Sequence, residues 1–529
     1  MTPFPARRPL LLGGLLLPLC AVATPIFAEG PRSAIPWLSE SITAPPVEPD
    51  SPGETLGPLQ TETITVTPLD GTEPDAIGIL PSETTGFARS LWGPTDLETA
   101  RDLIETTRSG GVPETRALFL RLLLAEAEPP MGDDDRASLL TARIDRLLRE
   151  GALEQADALI LFATPTEAEL FRRWFDIGLL TDNAEPACEA LRRNPSLSPT
   201  LPARVFCLAR GGDWNAAEIT LTLGRQIGSI SPEQEEMLAR FLDPEIFESE
   251  PPPPVPDPLT PLDFLMREAV GLPRPPGQLP LAFLHYDLGE HTPMRMRIAA
   301  AERLLRAGAI ASPPLFAAYR AGEPAASGGV WDRAAAIQDL DKALEDPTGE
   351  GLAASLADAD NRLADVGFRV ALAREYAPAF MEISRDTLTG TARSRIFELL
   401  LLAGETEAAT PFRPDQLGPK AELAASLAAP EEGNALPDPK GDPMATAILE
   451  AFDPESPADI AATGFGDALD EGRQGEAILR SIDLLADGIQ TSPQSLTLAL
   501  STLRAAGQET AARHIAIETL LGDAGSVND

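Results

Sequence analysis

Short helical segments separated by glycine, proline or asparagine recur along most of this chain of 529 residues. Across residues 94–248 and again across 261–529, apolar residues are spaced three and four positions apart. That spacing gathers apolar side chains on one face of an α-helix, and such a face must be buried against a neighbouring helix. The pattern predicts an all-α protein, an α-solenoid of stacked helical hairpins.

The composition favours closely packed helices. Hydrophobic residues make up 43% of the chain but aromatic residues only 5%, and alanine and leucine supply most of the apolar content. These residues favour helices, whereas strands are rich in β-branched and aromatic residues. The chain is also too long for one ordinary core, so we expect several domains or one extended array.

A short motif marks several predicted helix corners. A leucine stands four residues before a glycine, and an alanine five residues after it, at Leu147/Gly151/Ala156, Leu208/Gly212/Ala217, Leu400/Gly404/Ala409 and Leu503/Gly507/Ala512. The leucine closes the first helix, the glycine provides a left-handed turn, and the small alanine lets the second helix approach. Leu304 and Gly308 carry the first half of the motif only.

In these corners the chain resembles tetratricopeptide-type repeats, most clearly over Leu208–Ala217. The resemblance implies stacked helix pairs. It covers the corners and not whole repeats, because the motifs do not recur at a fixed period near 34 residues. The ligand grooves of regular tetratricopeptide arrays are therefore not carried over to this chain.

Proline-rich stretches divide the predicted helices. We expect a disordered arm rich in Pro, Thr and Glu over residues 29–93, a helical block over 94–248, a Pro-rich linker over 249–260, and a second block over 261–529 with a loop near 429–443. Proline cannot continue a helix, and polar stretches bury too little apolar surface to fold.

Parts of the arm depart from this spacer composition. Thr61–Thr67 alternates β-branched residues and could form a lone strand or an extended strap. Asp75–Pro81 and Leu91–Gly93 carry enough apolar groups to dock onto the helices.

The first 28 residues have the pattern of a secretory signal peptide. Arg7–Arg8 precede the apolar run Leu10–Leu19, and small residues follow. Cleavage is expected after Ala28, or alternatively after Ala23. The apolar run is too short to span a bilayer, which needs about 20 apolar residues. We therefore expect a periplasmic or secreted protein with no membrane span after signal removal.

Two cysteines, Cys188 and Cys207, follow the predicted signal. An even number of cysteines in an oxidising compartment suggests a disulfide. Both lie in predicted helices joined by a short loop, so the sulfur atoms could face each other. The alternative is two buried free thiols that pack as small apolar residues.

The charge distribution argues against nucleic acid as a partner. The formal net charge is −39, and lysine occurs only at Lys342, Lys420 and Lys440. Binding to a phosphate backbone needs a concentrated basic face. Acidic residues here are expected to keep the chain soluble.

No catalytic, cofactor or metal motif is recognisable in the sequence. There are three histidines, and His285 and His291 are six residues apart with Gly289 between them, a spacing that does not align them on one helix face. His514 is expected to pack in a terminal helix. Asp133–Asp135 is expected to cap the helix that follows.

The tryptophans Trp92, Trp174, Trp214 and Trp331 are interpreted as core residues that fill gaps between small side chains. The sequence as a whole predicts a non-enzymatic, exported helical-repeat scaffold that binds an unidentified protein of the cell envelope. The alternative is a non-catalytic or cryptic accessory of a peptidoglycan-processing enzyme in the envelope.

Overall fold

The computed structural model describes Ile35, Trp37, Leu38 and residues 73–522, apart from gaps at 133–136, 166, 198–199, 276, 347–350, 389, 431–435, 440, 454–459 and 461–462. The predicted signal peptide and the Thr61–Thr67 strap lie outside these residues. Two units are distinguished, residues 1–34 and 35–529, and every described residue belongs to the second.

The described residues are helical. In the first half the helices are α1 Ser82–Thr85, α2 Leu97–Thr106, α3 Pro113–Leu124, α4 Ser138–Glu150, α5 Leu153–Ala163, α6 Ala168–Leu180, α7 Glu185–Arg193, α8 Leu201–Arg210, α9 Trp214–Gln226, α10 Pro232–Leu242, α11 Pro261–Ala269 and α12 Met294–Arg306. In the second half they are α13 Ser312–Arg320, α14 Val330–Glu345, α15 Gly351–Ala364, α16 Arg369–Met381, α17 Gly390–Ala403, α18 Thr406–Ala409, α19 Pro419–Ala428, α20 Pro443–Phe452, α21 Gly464–Asp470, α22 Gln474–Leu484, α23 Pro493–Ala505 and α24 Glu509–Leu521.

Short 3₁₀ helices occur between them, at Pro74–Ala76, Pro195–Leu197, Pro244–Phe247, Leu281–Leu288, Arg385–Thr387, Thr410–Phe412 and Gly488–Gln490. Within the described part of the chain there is no β-strand, only the isolated bridges Leu80–Ala125 and Asp96–Met131. The predicted all-α class is confirmed for these residues, and none of their helices is long and apolar enough to cross a membrane.

Local sequence explains where many helices begin. A polar side chain accepts a hydrogen bond from a backbone N–H of the first turn at Asp96, Thr200, Asp213, Ser231, Thr260, Asp442, Thr463 and Ser492. Such caps satisfy donors that have no partner inside the helix. Proline follows in the first turn in several cases, where its missing N–H costs nothing.

The predicted corner motif forms helical hairpins. Its four glycines have φ values of 76°, 81°, 83° and 80°, in the left-handed region. The four alanines that follow are fully buried between helices. Consecutive helices pack in pairs, including α8 with α9, α12 with α13, α14 with α15, and α16 with α17.

Helices far apart in sequence also pack together. α2 contacts α22, and α3 contacts both α22 and α24. The loop before α2 also contacts the start of α22. Thr95 donates a hydrogen bond to the carboxylate of Glu476 at 2.9 Å. Trp92 packs on Gly475, where a Cβ would lie 2.8 Å from the indole ring. The first and last helices of the described body therefore contact each other, whereas a linear stack would hold them apart.

Two groups of buried apolar residues form inside this unit. The smaller, called the small core below, extends from Phe171 to Met266 across α6–α11. The larger, the main core, takes in the helices before and after it. α11 joins the two, because Phe264 belongs to the main core and Met266 to the small core.

Segments interpreted as arm and linker are partly packed. Ile35, Trp37 and Leu38 are buried, and Trp37 lies edge-on to Phe283 with ring centroids 5.5 Å apart. In the Pro-rich linker, the carbonyl of Pro251 accepts a hydrogen bond from Arg240 of α10, and those of Pro253 and Pro254 accept from Arg267 of α11. At these positions the apolar groups and carbonyls have partners on the helices.

Candidate functional site

Large apolar side chains are exposed chiefly between residues 161 and 246. Those more than one third exposed in the described residues are Met131, Leu161, Phe162, Trp214, Ile219, Leu223, Ile227, Ile246, Met296, Met381 and Ile489. Scattered exposed apolar residues are normal, but a contiguous group marks an interaction surface.

The clearest group follows α9. Ile219, Leu223 and Ile227 are spaced four residues apart, and their exposed fractions are 59%, 54% and 70%. This spacing aligns them along one side of the helix and the residue after it. We call these three residues the α9 stripe.

The opposite side of α9 is held against the small core. Ala217, Leu221 and Gly224 are buried. Because Gly224 lacks a side chain, Ile230 packs directly on the helix, and a Cβ there would lie 2.6 Å from it. α9 is therefore apolar on two sides, and within the described part of the chain only one of them is packed.

A cleft of about 370 Å³ opens beside the C-terminal end of α9. Ser229 and Ser231, which follow the α9 stripe in the chain, lie at its wall. The other walls come from α10, α11 and the Pro-rich segment 253–258. We call it the proline cleft, and its volume is that of a small ligand-binding pocket.

The interior of the proline cleft is apolar with two charged groups one helical turn apart. Met237, Leu262 and Met266 line it together with Asp263 and Arg267. Thr260 donates its hydroxyl to Asp263 Oδ2 at 2.6 Å. Burial raises the pKa of the Asp263 carboxyl, because the charged form loses water.

Arg267 binds the proline segment to α11 through its terminal nitrogen atoms. Its Nη1 donates to the carbonyls of Pro253 and Pro254, each at 3.3 Å, and its Nη2 to the carbonyl of Pro273 at 3.5 Å. Its Nε–H has no acceptor among the described residues. Arg267 is buried, and burial lowers its pKa. The Nε atoms of seven other arginines in the described residues are also buried without an acceptor, so this donor does not by itself mark a ligand site.

The rim of the proline cleft is acidic. Glu233 accepts a hydrogen bond from the Ser231 hydroxyl at 2.8 Å, and its own backbone N–H and that hydroxyl lower the pKa of its carboxyl. Glu236 accepts from Arg240 at 3.0 Å. The exposed Glu233 thus presents a negative charge at the mouth.

The two cysteines lie within the small core. Cys188 of α7 and Cys207 of α8 form a disulfide with Cα atoms 5.2 Å apart, and both residues are buried. The bond joins α7 to α8 inside the small core. It lies in the core and has no part in the proline cleft lining.

The histidines are separated and engaged in different contacts. Nε2 of His285 lies 2.6 Å from the carbonyl oxygen of Gly151, and burial lowers the pKa of this histidine. His291 packs on the ring of Tyr286, and His514 lies near Gly404. Among the described residues no group of three or more His, Cys, Asp or Glu side chains is placed to hold a metal ion. Asp133–Asp135 lie outside those residues.

The tryptophans divide between core and surface. Trp92 is buried in the main core, and Trp174 and Trp331 are half-buried. Trp214 is 52% exposed at the start of α9, so its interpretation as a core residue is wrong. It is the first residue of the helix, and the packing on the small core is made by Ala217 further along.

A buried carboxylate lies where the first and last helices meet. Glu518 of α24 accepts a hydrogen bond from the backbone N–H of Glu114 in α3 at 2.7 Å and pairs with Arg374 of α16 at 3.0 Å. Burial raises the pKa of Glu518 to about 7. Arg116 on α3 also contributes positive charge, and the carboxylate of Glu114 contributes negative charge.

A second buried ionic group joins α15, α16 and α17. Arg369 pairs with Asp360 at 2.8 Å and with Glu398 at 2.8 Å, and Arg395 also contacts Asp360. These groups satisfy one another inside the main core. Their partners are protein side chains on packed helices, so we assign them to the fold.

Sequence reasoning missed both the α9 stripe and the proline cleft. The stripe had a signal, because Ile219, Leu223 and Ile227 repeat at four residues beside the other apolar face of α9. The cleft had none, since its walls come from segments between residues 38 and 267 that meet only in the folded chain. Comparison with protein-family models, curated proteins and solved structures finds no match to this chain.

Proposed function

We propose that this protein is an exported helical scaffold that binds a partner protein of the cell envelope through the α9 stripe. The observation that carries the proposal is the unused apolar side of α9. An amphipathic helix normally keeps its second side polar, and exposing three large aliphatic groups in a row is unfavourable unless another surface covers them.

The chemistry of the rest of the molecule is in keeping with binding. Consecutive hairpins hold α9 on a rigid support, which reduces the entropy lost on association. The α9 stripe is apolar within a strongly acidic chain, so a partner with an apolar groove and basic margins would be complementary.

Export is the second part of the proposal. It rests on the signal-like start of the sequence and on the cysteine pair of the small core. A buried disulfide is stable in the periplasm or outside the cell, whereas the cytosol keeps thiols reduced. The oxidation state of Cys188 and Cys207 in protein isolated from cells tests this part.

A second candidate is an accessory of a peptidoglycan-processing enzyme. It is favoured by Asp263, a half-buried carboxyl in a cleft, which could accept hydrogen bonds from glycan hydroxyls. Retention of purified glycan strands by the mature protein, lost in Asp263→Asn, would favour this candidate over the scaffold.

Site-specific photocrosslinking in living cells tests the scaffold proposal. A photoreactive residue at position 219 or 223 should give one reproducible adduct of a defined mass, whereas the same residue at the exposed position Met381 on α16 should not. Ile219→Glu with Leu223→Glu should abolish the adduct formed from position 227, and Met381→Glu should leave it unchanged.

The proposal fails if adducts from positions 219, 223 and 381 are indistinguishable, or if the double glutamate variant keeps the adduct. Circular dichroism and thermal melting of each purified variant show that the comparison is made between folded proteins.

A further inference from the structure

The proline cleft presents one carboxyl group beside apolar parts of its lining. Asp263 lies on α11 between Leu262 and Met266, and Met237 of α10 lines the same cleft. Methionine side chains adapt their shape and pack against aliphatic and aromatic groups alike. The volume of about 370 Å³ is sufficient for a small organic molecule with an apolar body.

The Asp263 carboxyl has hydrogen-bond donors but no cation paired with it. The hydroxyl of Thr260 donates to its Oδ2 at 2.6 Å, and the backbone N–H of Thr260 also stabilises the charged form. Arg267, one helical turn later, donates to carbonyls of prolines instead, and no basic side chain of the described residues forms an ion pair with Asp263. Burial raises the pKa of this carboxyl, because a charged group removed from water is unstable without a partner charge. A cation on a ligand would supply that charge.

The charges around the proline cleft favour a cation over an anion. The lining contains three acidic residues, Glu233, Glu236 and Asp263, and one basic residue, Arg267. Glu236 is paired with Arg240 at 3.0 Å, whereas Glu233 is exposed and its lowered pKa keeps it ionised. The negative charges that remain attract a cationic ligand to the cleft and repel an anionic one.

We propose that the proline cleft binds a small organic amine whose ammonium group lies beside Asp263 and whose apolar body packs on Met237 and Met266. A primary amine is charged at neutral pH, and its ammonium group can donate a charge-assisted hydrogen bond to the carboxylate. This ligand site goes beyond the proposed scaffold function, because no residue of the α9 stripe lines the cleft.

The test uses the mature protein with ¹³C-labelled methionine methyl groups and phenethylamine as the probe, followed by NMR. The signals of Met237 and Met266 should shift with a saturable dependence and a Kd on the order of millimolar, as expected for so small a ligand. Met296 and Met381 are exposed on other helices and should not shift, so they serve as controls within the same sample. Substitution of each methionine by leucine assigns its signal.

Matched probes separate the charge from the apolar body. Phenethyl alcohol has the same body without the charge and should bind at least about tenfold more weakly than phenethylamine, because a charge-assisted hydrogen bond is lost. Phenylacetate carries the opposite charge and should give no shift. These comparisons use the unmodified protein and therefore do not depend on the folding of a variant.

Matched variants locate the cation. Asp263→Asn should weaken phenethylamine at least about tenfold and leave phenethyl alcohol unchanged, because the amide oxygen still accepts from Thr260 but carries no charge. Asp243→Asn removes an exposed charge after α10, outside the cleft lining, and should change the affinity by less than about twofold. Glu233→Gln should weaken phenethylamine by about twofold.

Equal affinities for the amine and the alcohol would overturn the proposal, and so would an unchanged affinity in folded Asp263→Asn. Equal shifts at Met296 and Met381 would show unspecific binding and would also overturn it. A lysine blocked at both ends that binds more tightly than phenethylamine would assign the cleft to a side chain of a partner protein instead of a small amine. The adducts from α9 do not depend on the cleft, so failure here and failure of the scaffold function are distinguishable.

Discussion

The main core and the small core achieve stability by different means. The main core brings its first and last helices into contact and buries ionic groups that hold successive helices together. The small core spans only α6–α11, contains the Cys188–Cys207 disulfide and a row of neighbouring phenylalanines, and carries the exposed α9 stripe. A small apolar core buries less surface per residue, so a covalent link compensates. The region with the smaller core is also the one that exposes the apolar residues of the α9 stripe to solvent.

The largest loss of stability is expected from a substitution of Asp360 in the main core. Asp360→Ala leaves Arg369 without one buried partner and removes the contact with Arg395, and breaking a buried pair costs about 3–5 kcal/mol. Urea unfolding monitored by circular dichroism measures the change. Asp358→Ala on the same helix is the control, because Asp358 is exposed and its pair with Arg362 contributes less than about 1 kcal/mol. Equal effects of the two variants would show that the Asp360 group does not hold α15, α16 and α17 together.

The next largest loss of stability is expected on removal of the disulfide, and it should be confined to the small core. Replacing Cys188 and Cys207 by alanine opens a loop with a sequence separation of 19, which should cost about 3 kcal/mol in the small core. Limited proteolysis should then cut first between residues 171 and 266, while fragments of the main core persist. A single cooperative loss of both cores would show that they do not differ in stability as described.

A comparable loss of stability is expected as the pH rises, because of the buried carboxyl group of Glu518 between α3 and α24. The pKa of Glu518 is raised from its ordinary value of 4.5 to about 7, so the folded protein keeps a proton that the unfolded chain has released over this interval. The resulting stability is complete below about pH 4.5 and is lost as the pH rises through 7, by on the order of 3 kcal/mol.

Thermal melts between pH 5 and 8 test this dependence. Glu518→Gln should flatten the decline in stability, because the amide does not titrate and still accepts the hydrogen bond from Glu114. Glu382→Gln, at an exposed position after α16, should leave the decline as it is. A decline that persists in Glu518→Gln would assign it to other groups.

The smallest change in stability is expected for a substitution within the α9 stripe. Leu223→Ala should change the free energy of unfolding by less than about 0.5 kcal/mol, because its side chain is already solvated. Leu221→Ala, two residues earlier on the buried side, should cost about 2 kcal/mol or more. Similar costs at the two positions would mean that both sides of α9 serve the fold and that the stripe is not available to a partner.

Local patterns in the sequence were sufficient to predict the helices and their corners. The apolar spacing, the caps and the Leu-Gly-Ala motif act within about ten residues, and each glycine of the complete motif takes the left-handed conformation it was expected to take. The surface role of Trp214 was missed, because a helical position does not reveal which side of the helix its neighbours cover.

What the sequence by itself determined about this protein is the helical class of its described residues and the conformation of its turns. Only the tertiary structure decided that α2 and α3 pack on α22 and α24, that Leu38 lies beside α10 and α11, and that one apolar side of α9 is left exposed. The physical reason is the distance along the chain between the residues that interact. Helix formation depends on residues three and four positions apart. The tertiary contacts join segments up to hundreds of residues apart, and each apolar face has several possible partners.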